Sequence, residues 1–101
     1  MSKIYISGPM TGCPNLNYEA FDKARDHFLS LGHEVVSPAD LGRQYGEVSY
    51  EECLKRDISA LLTCDTIYLL LGWEDSFGAR IESLLAHALR LKISYETPIL
   101  D

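Results

Sequence analysis

Basic residues are scarce in this sequence. Lysine and arginine together number 9, whereas aspartate and glutamate number 15, so the formal net charge is −6. Proteins that bind nucleic-acid polymers usually carry a basic patch that displaces counterions from the phosphates. The composition therefore argues against a nucleic-acid polymer as partner and leaves room for a small ligand with one phosphate or none.

Cysteines and long apolar runs are scarce as well. The cysteines Cys13, Cys53 and Cys64 are odd in number and form no CxxC pair, which argues against a disulfide framework and a zinc site. No apolar run is long enough to span a membrane, and the opening segment "MSKIYIS" lacks the features of a secretory signal. We therefore expect a reduced, cytoplasmic protein with no metal ion and no membrane partner.

Short apolar segments alternate with segments of helical spacing. Expected strands are 3–7, 33–37, 66–71 and 97–100, and expected helices are 17–32, 49–64 and 72–92, with 38–48 a loop and 92–96 ambiguous. Asn17 and Ser49 are suited to cap helix starts, and Gly32 to end the first helix. This order predicts an α/β fold, a three-layer Rossmann-like or flavodoxin-like parallel sheet of about four to five strands with helices on both faces.

Ligands of such sheets bind beyond the carboxyl ends of the strands. In this chain those ends lead into the loops 8–17, 37–48 and 72–78. The first loop contains "GPMTG", which matches neither the GxGxxG nor the GxxxxGKS/T phosphate loop, so we expect no nucleotide cofactor.

Glu82 lies within the apolar face of the last expected helix. At about 100° per residue, Gly78, Ala86 and Leu89 lie within about 40° of Glu82. The polar side chains are expected on the opposite side of this helix: Arg80, Ser83, His87 and Arg90. The apolar surface is wider than one sheet can cover, so we infer a second packing surface, formed by another subunit.

Asp57 occupies the same kind of position on the preceding helix, where Cys53 and Leu61 lie within about 40° of it. A buried carboxylate is normally paired, hydrogen-bonded or protonated, and one held in a cleft is a candidate acid, base or nucleophile. The alternative for Glu82 is structural: it accepts backbone hydrogen bonds at a helix start or pairs with Arg56.

Four further residues have two interpretations each. Ser76 either caps the third helix or binds a ligand oxygen, and Gly78 either relieves a turn or lets a ligand approach the backbone. Trp73 is either a core-edge aromatic or a surface on which a base stacks. Tyr5 lies mid-strand, where an aromatic side chain normally just packs; alternatively its hydroxyl, which needs a partner if buried, contacts a carboxylate such as that of Glu82.

Three stretches of the chain resemble a known family. "KIYISGPMTG", "RDISALLTCDTIYLL" and "GWEDSFGARIESLLAHAL" are similar to the landmarks of the nucleoside 2-deoxyribosyltransferase superfamily, which includes 2′-deoxynucleoside 5′-monophosphate N-glycosidases. The resemblance covers most of the chain, and "GPMTG" is typical of a branch of small phage and bacterial proteins. It implies one such domain over residues 1–101, a small-molecule nucleoside or nucleotide as substrate, and a homodimer or higher homo-oligomer.

The resemblance also implies roles for individual residues. Glu82 matches the family's nucleophile at the sugar's anomeric carbon, and Asp57 matches an aspartate that binds the deoxyribose. Tyr5 matches a tyrosine that positions the glutamate. Ser76 matches a serine that lines the sugar or phosphate pocket, and Gly8 belongs to the ligand-facing loop.

Two features depart from the family pattern. The first loop of the monophosphate hydrolases brings polar and basic groups to the phosphate, whereas the ligand-facing positions here are Pro9, Met10 and Thr11. The family also completes its site with residues near the C-terminus of a neighbouring subunit, and no match to that contribution is identifiable in this sequence.

Three functions are therefore open from the sequence. The first is an enzyme that cleaves or exchanges the N-glycosidic bond of a 2′-deoxynucleoside or its monophosphate through Glu82. The second is a non-catalytic module that binds a nucleotide or a nucleotide-derived signal in the same pocket. The third is a scaffold whose wide apolar helix only builds an oligomer.

Overall fold

Four parallel strands form the centre of the molecule. The computed structural model describes residues 1–10, 14–46 and 48–98. The strands are β1 (Lys3–Ser7), β2 (Glu34–Val36), β3 (Thr66–Leu69) and β4 (Lys92–Tyr95), and they lie in the order β2-β1-β3-β4. All three neighbouring pairs are parallel, with Tyr5 of β1 opposite Val36 of β2 and Ile67 of β3.

Four α-helices cover the two faces of this sheet. They are α1 (Tyr18–Ser30), α2 (Pro38–Tyr45), α3 (Tyr50–Leu61) and α4 (Phe77–Ala88). Side chains alternate along β1, so neighbouring residues face opposite layers. Tyr5 packs with residues of α3 and α4, whereas Ile6 packs with Phe21 of α1 and Ala39 of α2. The sequence prediction of a three-layer α/β fold with a parallel sheet is confirmed.

The helix starts and ends explain where the chain turns. Ser49 caps α3 as expected, because its side chain accepts a hydrogen bond from the Glu52 N–H. Gly32 ends α1 in the left-handed region at φ 89°, and the backbone N–H of His33 bonds the Phe28 carbonyl, a Schellman ending. Asn17 precedes α1, but its side chain does not cap it; its Nδ2 donates to the Pro9 carbonyl at 2.9 Å.

Two expectations from the sequence were wrong. The segment expected to be a loop contains α2, which Ser37 caps through the Ala39 N–H and in which Pro38 occupies the first position. The last strand lies at Lys92–Tyr95, not at 97–100; residues 97 and 98 follow it without strand structure, and 99 and 100 lie outside the described residues. The last strand lies earlier in the chain than expected because Ile93 packs against the core beside β3, whereas Pro98 has no N–H for the hydrogen bonds between strands.

The orientation of α4 also differs from its expected phase. Ser83, expected on the outer face, is only 4% exposed, whereas Leu84 is 69% exposed. Ala79, Ser83 and Ala86 are small, and turning them inward lets α4 lie close to the sheet while Glu82 stays buried. In the parts of the chain that the structure describes, no helix is both long enough and apolar enough to cross a membrane.

Candidate active site

Glu82 is buried between α4 and β1, with 5% of its surface exposed. The Tyr5 hydroxyl donates to Glu82 Oε2 at 2.6 Å, and the Ser7 hydroxyl donates to Glu82 Oε1 at 2.7 Å. Tyr5 and Ser7 are two residues apart on β1 and therefore point to the same face of the sheet. Both oxygens of one carboxyl group are thus held by hydroxyls that are themselves fully buried.

The environment of Glu82 shifts its protonation into the neutral range. Burial raises the pKa of Glu82 to about 7, the hydrogen bonds from Ser7 and Tyr5 oppose that rise, and the charge of Asp57 adds to it. Burial, followed by the charge of Glu82, raises the pKa of the Tyr5 hydroxyl well above its ordinary value, so Tyr5 stays a hydrogen-bond donor. Glu82 therefore populates both its neutral and its ionised form near pH 7.

Asp57 lies on α3 and faces the same region. Its carboxylate is partly buried, and its Oδ1 lies 3.3 Å from Nε of Arg56. Burial raises the pKa of Asp57, and the neighbouring Arg56 charge and hydrogen bond lower it. The charge of Asp57 also contributes to the raised pKa of both Glu82 and Tyr5, after the larger effect of burial.

A cleft of about 760 Å³ joins these groups, within the size range of small-molecule sites. Both carboxylates, Glu82 and Asp57, are among its lining residues. The first loop and the start of α4 contribute five of the expected ligand-facing residues: Gly8, Pro9, Met10, Ser76 and Gly78. The structure therefore brings together most of the residues that the sequence singled out for binding.

Trp73 is not among the residues that line the cleft. Its side chain packs against the core on the α3/α4 face of the sheet, and its ring lies 6.2 Å from that of Tyr95. This position matches the first of the two interpretations of Trp73, an aromatic side chain at the edge of the core. Aromatic side chains at the cleft instead come from Tyr18, Phe21, Tyr50 and Phe77, none of which was expected from the sequence to be a site residue.

The geometry distinguishes the alternatives for Ser76 and Gly78. Ser76 caps α4 by accepting a hydrogen bond from the Ala79 N–H at 3.3 Å, and it also lines the cleft. Gly78 has no left-handed backbone, and a methyl group there would meet only Leu54 Cδ1 at 3.8 Å. Packing and backbone geometry therefore do not require glycine at position 78, and ligand approach to its backbone stays a prediction.

Gly8 is required by packing. A Cβ at this position would lie 2.8 Å from Cβ of Leu70, an atom fixed to the backbone of the chain just beyond β3. The absence of a side chain at Gly8 lets the first loop pass over the end of β3. This contact holds the loop beside Glu82 and along the cleft wall.

Ser7 is the contact that sequence reasoning missed. The period-two alternation of a strand places Ser7 on the same face as Tyr5. Once Tyr5 was expected to contact Glu82, this alternation could have predicted Ser7 as a second partner. Arg56 was considered only as a possible partner of Glu82, whereas it pairs with Asp57. In the described part of the chain no group of three His, Cys, Asp or Glu residues is placed to hold a metal ion.

Comparison with solved structures identifies the fold class. The chain superposes on the "2-desoxiribosyltransferase from Leishmania mexicana" with a TM-score of 0.74 and 20% identity, covering 94% of this chain and 63% of that one. It superposes on the 2-deoxyribosyltransferase of Bacillus psychrosaccharolyticus with a TM-score of 0.70 and 24% identity, covering 98% of this chain and 77% of that one. The fold is thus that of the 2-deoxyribosyltransferases, and the family resemblance is confirmed at this level.

The sequence comparison gives the family. Residues 2–95 match the model of the domain of unknown function DUF4406, and the chain belongs to that family. No curated protein matches the sequence significantly. The chain spans less than two thirds of the length of the Leishmania mexicana protein, so the activity of that whole protein bears on this chain only as a proposal.

Proposed function

We propose that this protein cleaves or exchanges the N-glycosidic bond of a 2′-deoxynucleoside or its 5′-monophosphate, with Glu82 as the nucleophile. One observation carries the proposal: a carboxyl group of pKa about 7, held through both oxygens by Tyr5 and Ser7, lines a cleft large enough for a nucleoside. The similarity of the fold to two 2-deoxyribosyltransferases supports nucleoside glycosyl transfer in general.

The proposed reaction begins with ionised Glu82. One of its oxygens forms a bond to the anomeric carbon while the carbon–nitrogen bond breaks, and the electron pair of that bond leaves with the base. The transition state has oxocarbenium-like character, and a glycosyl-enzyme ester results. Water or a second base then attacks the same carbon, restores the Glu82 carboxylate and retains the configuration.

The neighbouring groups have separate roles in this proposal. Tyr5 and Ser7 hold the Glu82 carboxylate in one orientation, which lowers the cost of aligning it with the anomeric carbon. Asp57 holds the sugar hydroxyls and moves protons, since it is partly buried and lines the same cleft. Gly78 and the first loop leave space for the substrate beside these groups.

The test is a turnover assay on a panel of deoxynucleosides with and without a 5′-phosphate. Wild type should release free base, detected by chromatography, and Glu82→Gln should abolish release because an amide is a poor nucleophile. Glu34→Gln is the matched control, since Glu34 is an exposed carboxylate at the start of β2, does not line the cleft and should leave release unchanged. Lack of turnover by wild type on every member of the panel would contradict the proposal.

The second candidate is a non-catalytic binding module. The observation that favours it is that both Glu82 oxygens already accept a hydrogen bond, an arrangement that also suits a fixed acceptor for a sugar hydroxyl. In that case a deoxynucleoside or its monophosphate would bind to Glu82→Gln as well as to wild type, and neither protein would form product. Calorimetry beside the turnover assay separates the two candidates.

We also propose that residues 1–101 form a single domain of this type that functions as a homodimer or higher homo-oligomer. Phe77 and Leu84 lie on the same side of α4, seven residues apart, and are 66% and 69% exposed in the single chain. Covering this apolar row with a second subunit would remove it from water. Sedimentation of wild type and Leu84→Glu tests the idea: wild type should sediment as an oligomer and the variant as a monomer.

A further inference from the structure

Three segments that contribute residues to the cleft lining contain no basic residue. They are 8–18, 44–54 and 71–79, and none contains a lysine, an arginine or a histidine. Their charged residues are Glu47, Glu51, Glu52, Glu74 and Asp75. Because this is a property of the sequence, it holds for every residue of these three segments. Among the described residues of these segments, Asp75 is the charged residue that lines the cleft. These described residues therefore bring negative charge and no positive charge to its wall.

The wall of the cleft has the same imbalance. In the described part of the chain its charged lining residues are Arg56, Asp57, Asp75 and Glu82. Arg56 is the one cation in this set, and its guanidinium is engaged by the Asp57 carboxylate at 3.3 Å. The positive charge of Arg56 is thus already offset by one of the three carboxyl groups.

Arg56 retains one nitrogen without a hydrogen-bond partner among the described residues, Nη1. This atom is almost completely covered by neighbouring protein atoms, so a phosphate oxygen cannot reach it without moving them. The other terminal nitrogen, Nη2, lies 3.8 Å from Sγ of Cys53. Arg56 therefore does not present an open phosphate-binding fork to the cleft.

A second arginine lies close to the cleft but is also engaged. Arg43 stacks over the ring of Tyr18, a lining residue, at 4.7 Å. Its guanidinium nitrogens are paired with Asp22 at 2.6 Å and with Asp40 at 3.1 Å. Binding a phosphate through Arg43 would require breaking ion pairs that join α1 to α2.

We propose that this cleft selects an uncharged, non-phosphorylated deoxynucleoside over its 5′-monophosphate. The inference rests on the proposed function, because it assumes that the cleft takes a nucleoside. A 5′-monophosphate carries a charge of about −1.5 to −2 near neutral pH. Because Asp57 and Arg56 offset each other, the phosphate faces the carboxyl groups of Asp75 and Glu82 without a free cation among the described lining residues. It is therefore repelled, and the concave shape of the cleft strengthens the negative field that it meets.

The test compares binding of one deoxynucleoside and its 5′-monophosphate to the full chain by calorimetry. At low ionic strength the monophosphate should bind at least about ten-fold more weakly, and added salt should narrow the gap because it screens the repulsion. Equal or tighter binding of the monophosphate by wild type would overturn the proposal.

Two charge-reversal variants show whether residues of the cleft cause the weaker binding of the monophosphate. Asp75→Lys places a cation in the lining and should reduce the discrimination against the monophosphate. Glu34→Lys makes the same change in charge at the start of β2, the edge of the sheet opposite the cleft, and should leave the discrimination unchanged. An equal effect of both variants would mean that net charge alone is responsible, and would overturn the assignment to the cleft.

The outcome separates this inference from the proposed function. A binding preference for the uncharged nucleoside without any turnover would sustain the inference and remove the catalytic role. Faster release of base from the monophosphate, abolished by Glu82→Gln, would sustain the catalytic role and overturn the inference. Failure of every deoxynucleoside and monophosphate of the panel to bind would overturn both.

Discussion

At the scale of single residues, the molecule is organised around one carboxyl group. Glu82 is costly to bury in ionised form, and the two hydroxyls of β1 offset part of that cost by donating to its oxygens. They do not offset it completely, since the pKa of Glu82 stays near 7. The site therefore keeps a carboxyl group that changes its protonation state in the neutral range.

Removing one of these donors should raise the pKa of Glu82 further. Ser7→Ala takes away the hydrogen bond that stabilises the ionised form at Oε1, so ionisation should require a higher pH than in wild type. NMR titration of the Glu82 side-chain carboxyl carbon measures this directly, and the acidic limb of the kcat/KM profile should move in the same direction. Ser30→Ala, at the end of α1, is the control. An unchanged titration in Ser7→Ala would contradict this account.

The two glycines at the cleft should respond in opposite ways to the same substitution. Gly8→Ala forces a methyl group against Leu70 and should destabilise the fold by about 1–3 kcal/mol. Gly78→Ala finds space within α4 and should stabilise the fold by roughly 0.5 kcal/mol. Urea unfolding measures both effects.

Gly78→Ala also probes the cleft itself. If a ligand approaches the backbone of Gly78, this variant should bind nucleoside more weakly than wild type although it is more stable. A variant that is both more stable and fully active would show that Gly78 is not a contact residue.

At the scale of secondary-structure elements, the N-terminus of α4 is capped, whereas the backbone at its C-terminus is strained. Ser76 caps its first turn through the Ala79 N–H. Its last turn closes as a Schellman motif, with the Leu91 N–H bonding the Ala86 carbonyl, and this places Arg90 in the left-handed region at φ 59°. A residue with a Cβ is disfavoured in that conformation.

Arg90→Gly should therefore stabilise the protein, by roughly 1 kcal/mol, because glycine adopts this backbone without strain. Arg80→Gly is the matched control: it makes the same change at an exposed position inside α4 and should destabilise the protein by about 1 kcal/mol. The shift in the urea midpoint of unfolding measures the change in stability of both variants. A loss of stability in Arg90→Gly equal to that in Arg80→Gly would contradict the strain argument.

At the scale of the whole molecule, the buried carboxyl group makes stability depend on pH. The ordinary pKa of Glu82 is 4.5 and its value in the folded protein is about 7. Between these values the folded state keeps a proton that the unfolded chain has released, so stability falls as pH rises through this window. The full penalty is present above about pH 7 and amounts to about 3 kcal/mol.

Glu82→Gln should remove this dependence. Its stability relative to wild type should be greater by up to about 3 kcal/mol at about pH 8, and the advantage should shrink toward about pH 5, where Glu82 is neutral in the fold. Urea unfolding of both proteins across this range measures the difference. Glu74→Gln, at an exposed carboxylate, should show no such dependence. A constant difference between Glu82→Gln and wild type at all pH values would contradict the buried-charge account.

Local patterns in the sequence were enough to predict the parts of the fold that contacts between near neighbours in the chain determine. Strand alternation and helical spacing located β1, α1, α3 and β3, and cap chemistry located Ser49 and Gly32. The same spacing marked Glu82 and Asp57 as carboxylates on packed faces, and the structure places both at one cleft. These features follow from neighbours within a few turns of the chain.

Tertiary structure decided the remaining features, because their partners are distant along the chain. Ser7 meets Glu82 across 75 residues, and the inward turn of Ser83 depends on how closely α4 approaches the sheet. The short helix α2 is held by core contacts of Ala39, and β4 is selected by the packing of Ile93. The sequence by itself determined the alternating α/β architecture and the placement of Glu82 and Asp57 on packed helix faces, since periodic patterns encode these. Only the packed sheet decided that Ser7 joins Tyr5 in holding Glu82, because a contact between β1 and α4 depends on how the two elements pack.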